Sequence, residues 1–234
     1  MSGSVSIGSV KLGVLPAVVA IVERPTSAAL LQGLKGRGAS LVEVRVDRFD
    51  AAQEILPHYI QQIRHLTGLP LIGTIRDNPW TTPVRGQLFE QMLPLVDAVD
   101  IEIDTPLRDG VIAAAHRLGK TVIVSEHDYE HTPPQSQLHN LVHEAQRAGA
   151  DIVKLATMAK GPEDVVRLLQ LCHGSTLPMV AIAMGEQGTV SRVVGPLFGS
   201  LFTFGFIDSV VAPGQLSLDV LVAQLKMYYP SLTF

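Results

Sequence analysis

The chain has 234 residues, 47% hydrophobic and 17% charged, with a formal net charge of −4 at pH 7 and a single cysteine, Cys172. That composition supplies a large core. It gives no reason to expect a nucleic-acid partner, a membrane span or a secretory leader, and it excludes an intrachain disulfide or a thiolate metal cluster. A soluble cytoplasmic protein is expected, with Cys172 as a buried structural thiol.

Residues Met1–Val14 precede the first β-branched run and are expected to form a small hairpin closing the bottom of the fold. Ala17–Val22 reads as the first strand, and Thr26-Ser27 opens a helix over Ala28–Leu34 that Gly36 and Gly38 close. Ser40–Val46 is the second strand, after which Asp50 can cap a helix over Ala51–His65, stopped by Gly68 and Pro70. Leu71–Ile75 and Ala98–Ile103 follow as strands, then a helix over Leu107–Leu118 opened by Thr105-Pro106. Strands over Thr121–Ser125, Asp151–Ala156 and Met179–Met184 come next. Between them lie helices from Pro134 to Ala148 and from Pro162 to His173. Leu201–Ile207 is the eighth strand, and Gln215–Tyr228 the last helix.

Strand starts recur at roughly 22 to 31 residues, the length of a βα unit. Most strands are apolar at nearly every position, as parallel strands buried on both faces require. Strict alternation without a linker-like break predicts one α/β domain over residues 1–234, an eight-stranded (β/α)8 TIM barrel with a short N-terminal extension. An open doubly wound sheet is the alternative, and the lack of a G-x-G-x-x-G turn after the first strand weakens it.

A barrel keeps its chemistry at the C-terminal strand ends, so ionisable residues there are the candidates. Lys154 interrupts the apolar run Ile152–Ala156, where its ammonium loses hydration and its amine becomes available to attack a carbonyl. A structural ion pair, with Glu102 or Glu43, is the competing explanation. His127 stands at the mouth of the neighbouring strand and suits proton transfer near pH 7. The forks of Arg45, Arg76 and Arg192 match an anionic or polyhydroxy ligand, or else pair with carboxylates of the second and fourth strands. Metal binding is not expected, because neither H-x-H nor H-E-x-x-H occurs. Gly185 and Gly188 could cradle a phosphate or simply relieve crowding at a βα turn.

Together the segments Glu43-Val-Arg45-Val-Asp47, Thr74-Ile-Arg76, Asp100-Ile-Glu102, Ser125-Glu-His127-Asp-Tyr129, Asp151-Ile-Val-Lys154, Ser191-Arg192 and Ala212-Pro-Gly-Gln215 resemble the type I 3-dehydroquinate dehydratases. The resemblance runs from the second strand to the last helix. It implies that Lys154 forms an imine with 3-dehydroquinate and that His127 is the general acid and base. Arg192 would hold the substrate carboxylate with Gln215 nearby, while Glu43, Arg45 and Arg76 bind the ring hydroxyls. It further implies a homodimeric lyase of aromatic amino-acid biosynthesis that needs no cofactor or metal.

Two positions depart from the family pattern. The family's glutamate after the third strand, partner of its catalytic histidine, has no counterpart in Asp77–Gly86; Asp77 is a candidate substitute, and the segment is a candidate lid. Val211 stands where a serine is usual. An active dehydratase with altered affinity or pH response is expected. Another imine-forming lyase or aldolase, or a non-catalytic protein binding a polyhydroxy carboxylate, are the rival readings.

Overall fold

The structure, a computed structural model, describes residues 5–49 and 55–232. Strands β1 (Ser6–Ile7) and β2 (Val10–Lys11) pair antiparallel around a turn in which Gly8 takes a φ of +56°. Eight strands then alternate with helices. β3 (Ala17–Val22) leads to α1 (Ala28–Gly33), β4 (Leu41–Arg45) to α2 (Leu56–Thr67), β5 (Leu71–Thr74) to α3 (Arg85–Met92) and β6 (Ala98–Glu102) to α4 (Arg108–Arg117). β7 (Thr121–Asp128) leads to α5 (Gln135–Ala148), β8 (Ile152–Met158) to α6 (Pro162–Gly174) and β9 (Met179–Met184) to the short α7 (Ser191–Val194). β10 (Phe202–Phe206) passes through β11 (Leu216–Ser217) into α8 (Leu218–Tyr228).

From β3 to β9 each strand pairs in parallel with the next in sequence, and β10 pairs with β3. An order without reversal is that of a barrel, not of a doubly wound sheet. Alternate residues divide the core in two. Val18, Ala20 and Val22 point outward into the layer shared with the helices. Ala17, Val19, Leu41, Ile72, Ala98, Ile123 and Ile152 point inward and meet Ile7 and Leu12 of the hairpin, which fills the bottom. The Thr121 hydroxyl donates to the Ser6 carbonyl at 2.8 Å and fastens this plug.

The sheet is curled and nine-stranded rather than a uniform ring of eight. Between β9 and β10 only a bridge between Met179 and Ser200 joins the strands, and above it β11 occupies the β9-facing side of β10. Side chains complete the β9 edge: the Ala181 N–H donates to Ser200 Oγ at 3.2 Å and the Ala183 N–H to Ser191 Oγ at 3.0 Å. The seam therefore opens towards the C-terminal strand ends.

Most element bounds agree with the expected ones to within a few residues. β7 runs on to Asp128, so His127 belongs to the strand itself. Helix α3 was not anticipated, although Leu88, Phe89 and Met92 bury one of its faces. Asp50 and the expected start of α2 at Ala51 lie outside the described residues; the end at Gly68, with a φ of +61°, agrees. No helix among the described residues is long and apolar enough to cross a membrane.

Candidate active site

On β4 to β8 the inward positions that are apolar at the bottom of the barrel become polar one layer up, as Glu43, Thr74, Asp100, Ser125 and Lys154, while β3, β9 and β10 keep Ile21, Ile182 and Phe204. Parallel register sets Ser125 beside Lys154 and His127 beside Ala156, so the lysine lies one layer beneath the histidine. Lys154 is buried, and its Nζ donates to Asp100 Oδ2 at 2.9 Å, with Glu43 Oε1 at 4.0 Å. The Phe204 ring lies 4.5 Å from the same nitrogen. The partner is thus Asp100; Glu102, the other carboxylate of that strand, pairs with Arg76 and Arg85 instead.

Asp100 is the hub. Besides Lys154 it accepts from Arg76 Nη2 at 2.7 Å and from Ser125 Oγ at 2.6 Å. Burial opposes its charge, but the Arg76 and Lys154 cations outweigh burial and hold its carboxyl well below the usual carboxylate range. Arg76 is the mirror case. Burial works against its guanidinium, and Asp100, Glu102 and Glu43 together keep its pKa above the ordinary value. Glu43 is buried and accepts from the Thr74 hydroxyl at 2.7 Å.

His127 has no hydrogen-bond partner among the described residues. Its ring stacks on Tyr129 with centroids 6.2 Å apart and planes 19° from parallel. Asp77 does not orient it, since that carboxylate accepts from the Thr82 hydroxyl at 2.7 Å. Burial, reinforced by the charges of Arg76 and Lys154 and only partly opposed by Asp100, pushes the imidazole well below 6.5.

The three arginines differ in their partners. Arg45 binds Asp47 through two bonds of 3.0 and 2.8 Å; burial opposes its charge, but that carboxylate more than compensates. Arg76 belongs to the Asp100 hub. Arg192 is buried and has no carboxylate partner among the described residues: Nε donates to the Gly214 carbonyl at 3.0 Å and Nη2 to that of Pro213 at 3.2 Å. Burial pushes its pKa down to about 10, which still leaves it charged at neutral pH.

The carbonyls that hold Arg192 lie in the barrel seam. There the Gly185 N–H donates to the Pro213 carbonyl, and a Cβ at Gly214 would stand 2.2 Å from the Gly185 oxygen, so only glycine fits. Gly188 is likewise dictated by crowding against the Ala183 backbone, and its N–H is spent on the Gly185 carbonyl within a turn. Gln215 fixes the adjoining loop, its Oε1 accepting from the N–H groups of Val211 at 3.0 Å and Ala212 at 3.3 Å.

All seven residues singled out from the sequence, Lys154, His127, Glu43, Arg45, Arg76, Arg192 and Gln215, line one cleft. One wall is ionic; the other is apolar, built from Ile21, Ala156, Ile182, Met184, Phe204 and Val211. A wider groove continues past Arg45, Arg76, His127 and Tyr129 towards Trp80 and Glu126. Among the described residues no group of three or more His, Cys, Asp or Glu side chains is placed to hold a metal. Sequence reasoning missed the hub role of Asp100, with Ser125 and the Glu102–Arg85 pair behind it. Alternation of Asp100-Ile-Glu102 carried the signal for the first; nothing local marked Arg85.

Fold and site together define a β/α-barrel enzyme, its ionisable groups gathered where such barrels keep their chemistry. The model of the Type I 3-dehydroquinase family matches residues 18–231. A 3-dehydroquinate dehydratase of Methanosarcina acetivorans is 37% identical over 94% of this chain and 98% of its own. That of Methanococcoides burtonii is 33% identical over 94% and 98%. The solved type I 3-dehydroquinate dehydratase of Clostridium difficile superposes with a TM-score of 0.87 at 26% identity, covering 99% of this chain and 100% of that one. The chain belongs to the type I 3-dehydroquinase family.

Proposed function

We propose that this chain dehydrates 3-dehydroquinate to 3-dehydroshikimate and water through an imine on Lys154. The observation that carries the reading is Arg192, a buried guanidinium without a carboxylate partner among the described residues, in the cleft that also holds Lys154 and His127. An uncompensated buried cation calls for an anionic ligand, and the substrate carboxylate supplies it, with Gln215 beside it. Glu43, Arg45 and Arg76 bind the ring hydroxyls on the ionic wall.

The chemistry follows from these positions. Lys154, a cation in the free site, gives up a proton to solvent; its amine then adds to the C3 carbonyl and water leaves, giving an iminium that draws electrons from C2. Neutral His127 takes a proton from C2 and forms the enamine. The enamine pushes out the C1 hydroxyl, which leaves as water with the proton from His127, and hydrolysis of the imine frees product and lysine. Burial first, and then the positive charges of Arg76 and Lys154 beside it, keep His127 in the acceptor form. Lys154 supplies the electrophile, so no cofactor enters the scheme. The protein works as one barrel domain and, by the same resemblance, as a cytoplasmic homodimer. Mixing the protein with 3-dehydroquinate should raise the enone absorbance of 3-dehydroshikimate; no rise at high protein concentration refutes the assignment.

A further inference from the structure

The segment that follows β5 lacks the family's glutamate, yet it is densely bonded. Asn78 Nδ2 and Trp80 Nε1 both donate to the main-chain carbonyl of Asp47, at 3.0 and 2.9 Å. Asn78 Oδ1 accepts from the N–H groups of Trp80 and Thr81, each at 3.0 Å, which closes a tight Asx turn. The fully buried Thr81 hydroxyl donates to the Arg76 carbonyl at 2.8 Å and accepts from the Asn78 N–H at 3.0 Å. The segment therefore bridges the ends of β4 and β5 and is fastened to both.

Asp47 lies just past β4, in a single helical turn over Val46–Arg48. Two side-chain donors use both lone pairs of its carbonyl oxygen. Its buried carboxylate grips Arg45 through Nε and Nη2, leaving Nη1 without a protein partner among the described residues. Where Arg45 presents that nitrogen to the cleft is thus set by Asp47, and where Asp47 stands is set by Asn78 and Trp80.

We propose that Asn78 and Trp80 form a clamp that positions Arg45, through Asp47, for binding of the substrate hydroxyls. The clamp rests on the reading of Arg45 as a substrate-binding group. Both are positioning residues, acting at a distance from the reacting atoms. A fixed fork loses less freedom on binding than a mobile one, so the clamp is read in KM rather than in kcat.

Trp80→Phe keeps a ring and removes the N–H donor. It should raise KM for 3-dehydroquinate about fivefold with kcat within about twofold. Arg45→Gln should raise KM at least as far, and adding Trp80→Phe to it should change KM no further. Arg45→Lys, which keeps charge but loses the fork, replaces it if the glutamine variant does not fold. Thr82→Val, in the same segment but outside the clamp, should leave KM unchanged. Additive effects of Trp80→Phe and Arg45→Gln, an equal rise in Thr82→Val, or an unchanged KM in Trp80→Phe alone overturns the clamp. An unchanged KM in the Arg45 variant overturns the reading of the site and the clamp with it.

Discussion

Replacing Arg192 by Met separates substrate binding from folding. In the free protein the guanidinium is buried and donates to the carbonyls of Gly214 and Pro213, with no anion among the described residues to offset its lost hydration. Losing those bonds costs about 1.5–3 kcal/mol each, while removing a desolvated ion returns several kcal/mol. The two nearly cancel, leaving a net change within about 2 kcal/mol, or up to about 8 °C in Tm for a chain of this size. With substrate bound the balance differs. A buried charge-assisted pair with the carboxylate is lost, about 3–4 kcal/mol, which is about 10²- to 10³-fold in kcat/KM. Thermal unfolding of the free variant and the enone absorbance assay measure the two quantities. Loss of more than about 4 kcal/mol of stability with kcat/KM unchanged would falsify the reasoning, because Arg192 would then be a structural residue.

The remaining predictions concern groups whose surroundings the structure defines. Because burial and the Arg76 and Lys154 charges push His127 well below 6.5, its neutral form persists as pH falls through 6.5. The acid limb of kcat/KM, which reports the free protein, should therefore lie below that pH and move up in Arg76→Gln, and a limb at or above 6.5 in the unaltered protein contradicts the assignment. Asp100→Ala removes the nearest anion from both Lys154 and Arg76, leaving them Glu43 at 4.0 Å and Glu102 at 3.3 Å. It should cost about 3–5 kcal/mol of stability by urea unfolding, whereas a loss under about 1 kcal/mol would deny the hub. Burial pushes the Cys172 thiol up to about 12. It should resist a thiol-specific disulfide reagent in the native state and react on unfolding; rapid native labelling would show that α6 opens readily.

The eight units were legible because each has the length of one βα step and because a strand covered on both faces reads as an unbroken apolar run. The site was legible for the same reason in reverse: Lys154, Glu43 and His127 interrupt such runs at strand ends, and alternation puts them inside. What stayed hidden depends on register across several strands. Register sets Lys154 level with Ser125 and Glu102, yet its ammonium reaches Asp100 on the layer below, a diagonal contact across β7 that no local pattern encodes. The seam at β9 and β10 was equally invisible, since it is completed by Ser191 and Ser200 side chains rather than by strand residues. Asp77–Gly86 read as a lid because of its prolines and tryptophan. What the pattern did not show is that Asn78 and Trp80 bind the Asp47 carbonyl beyond β4, bonds that link residues about thirty positions apart.

The imine on Lys154 is the centre of the mechanism, and borohydride added during turnover of 3-dehydroquinate tests it directly. Reduction should fix one substrate-derived adduct per chain, and mass spectrometry of the digested protein should find it on the peptide carrying Lys154, with no adduct in Lys154→Ala. An unmodified Lys154 in protein that is consuming substrate, or an adduct fixed on another lysine, would contradict it.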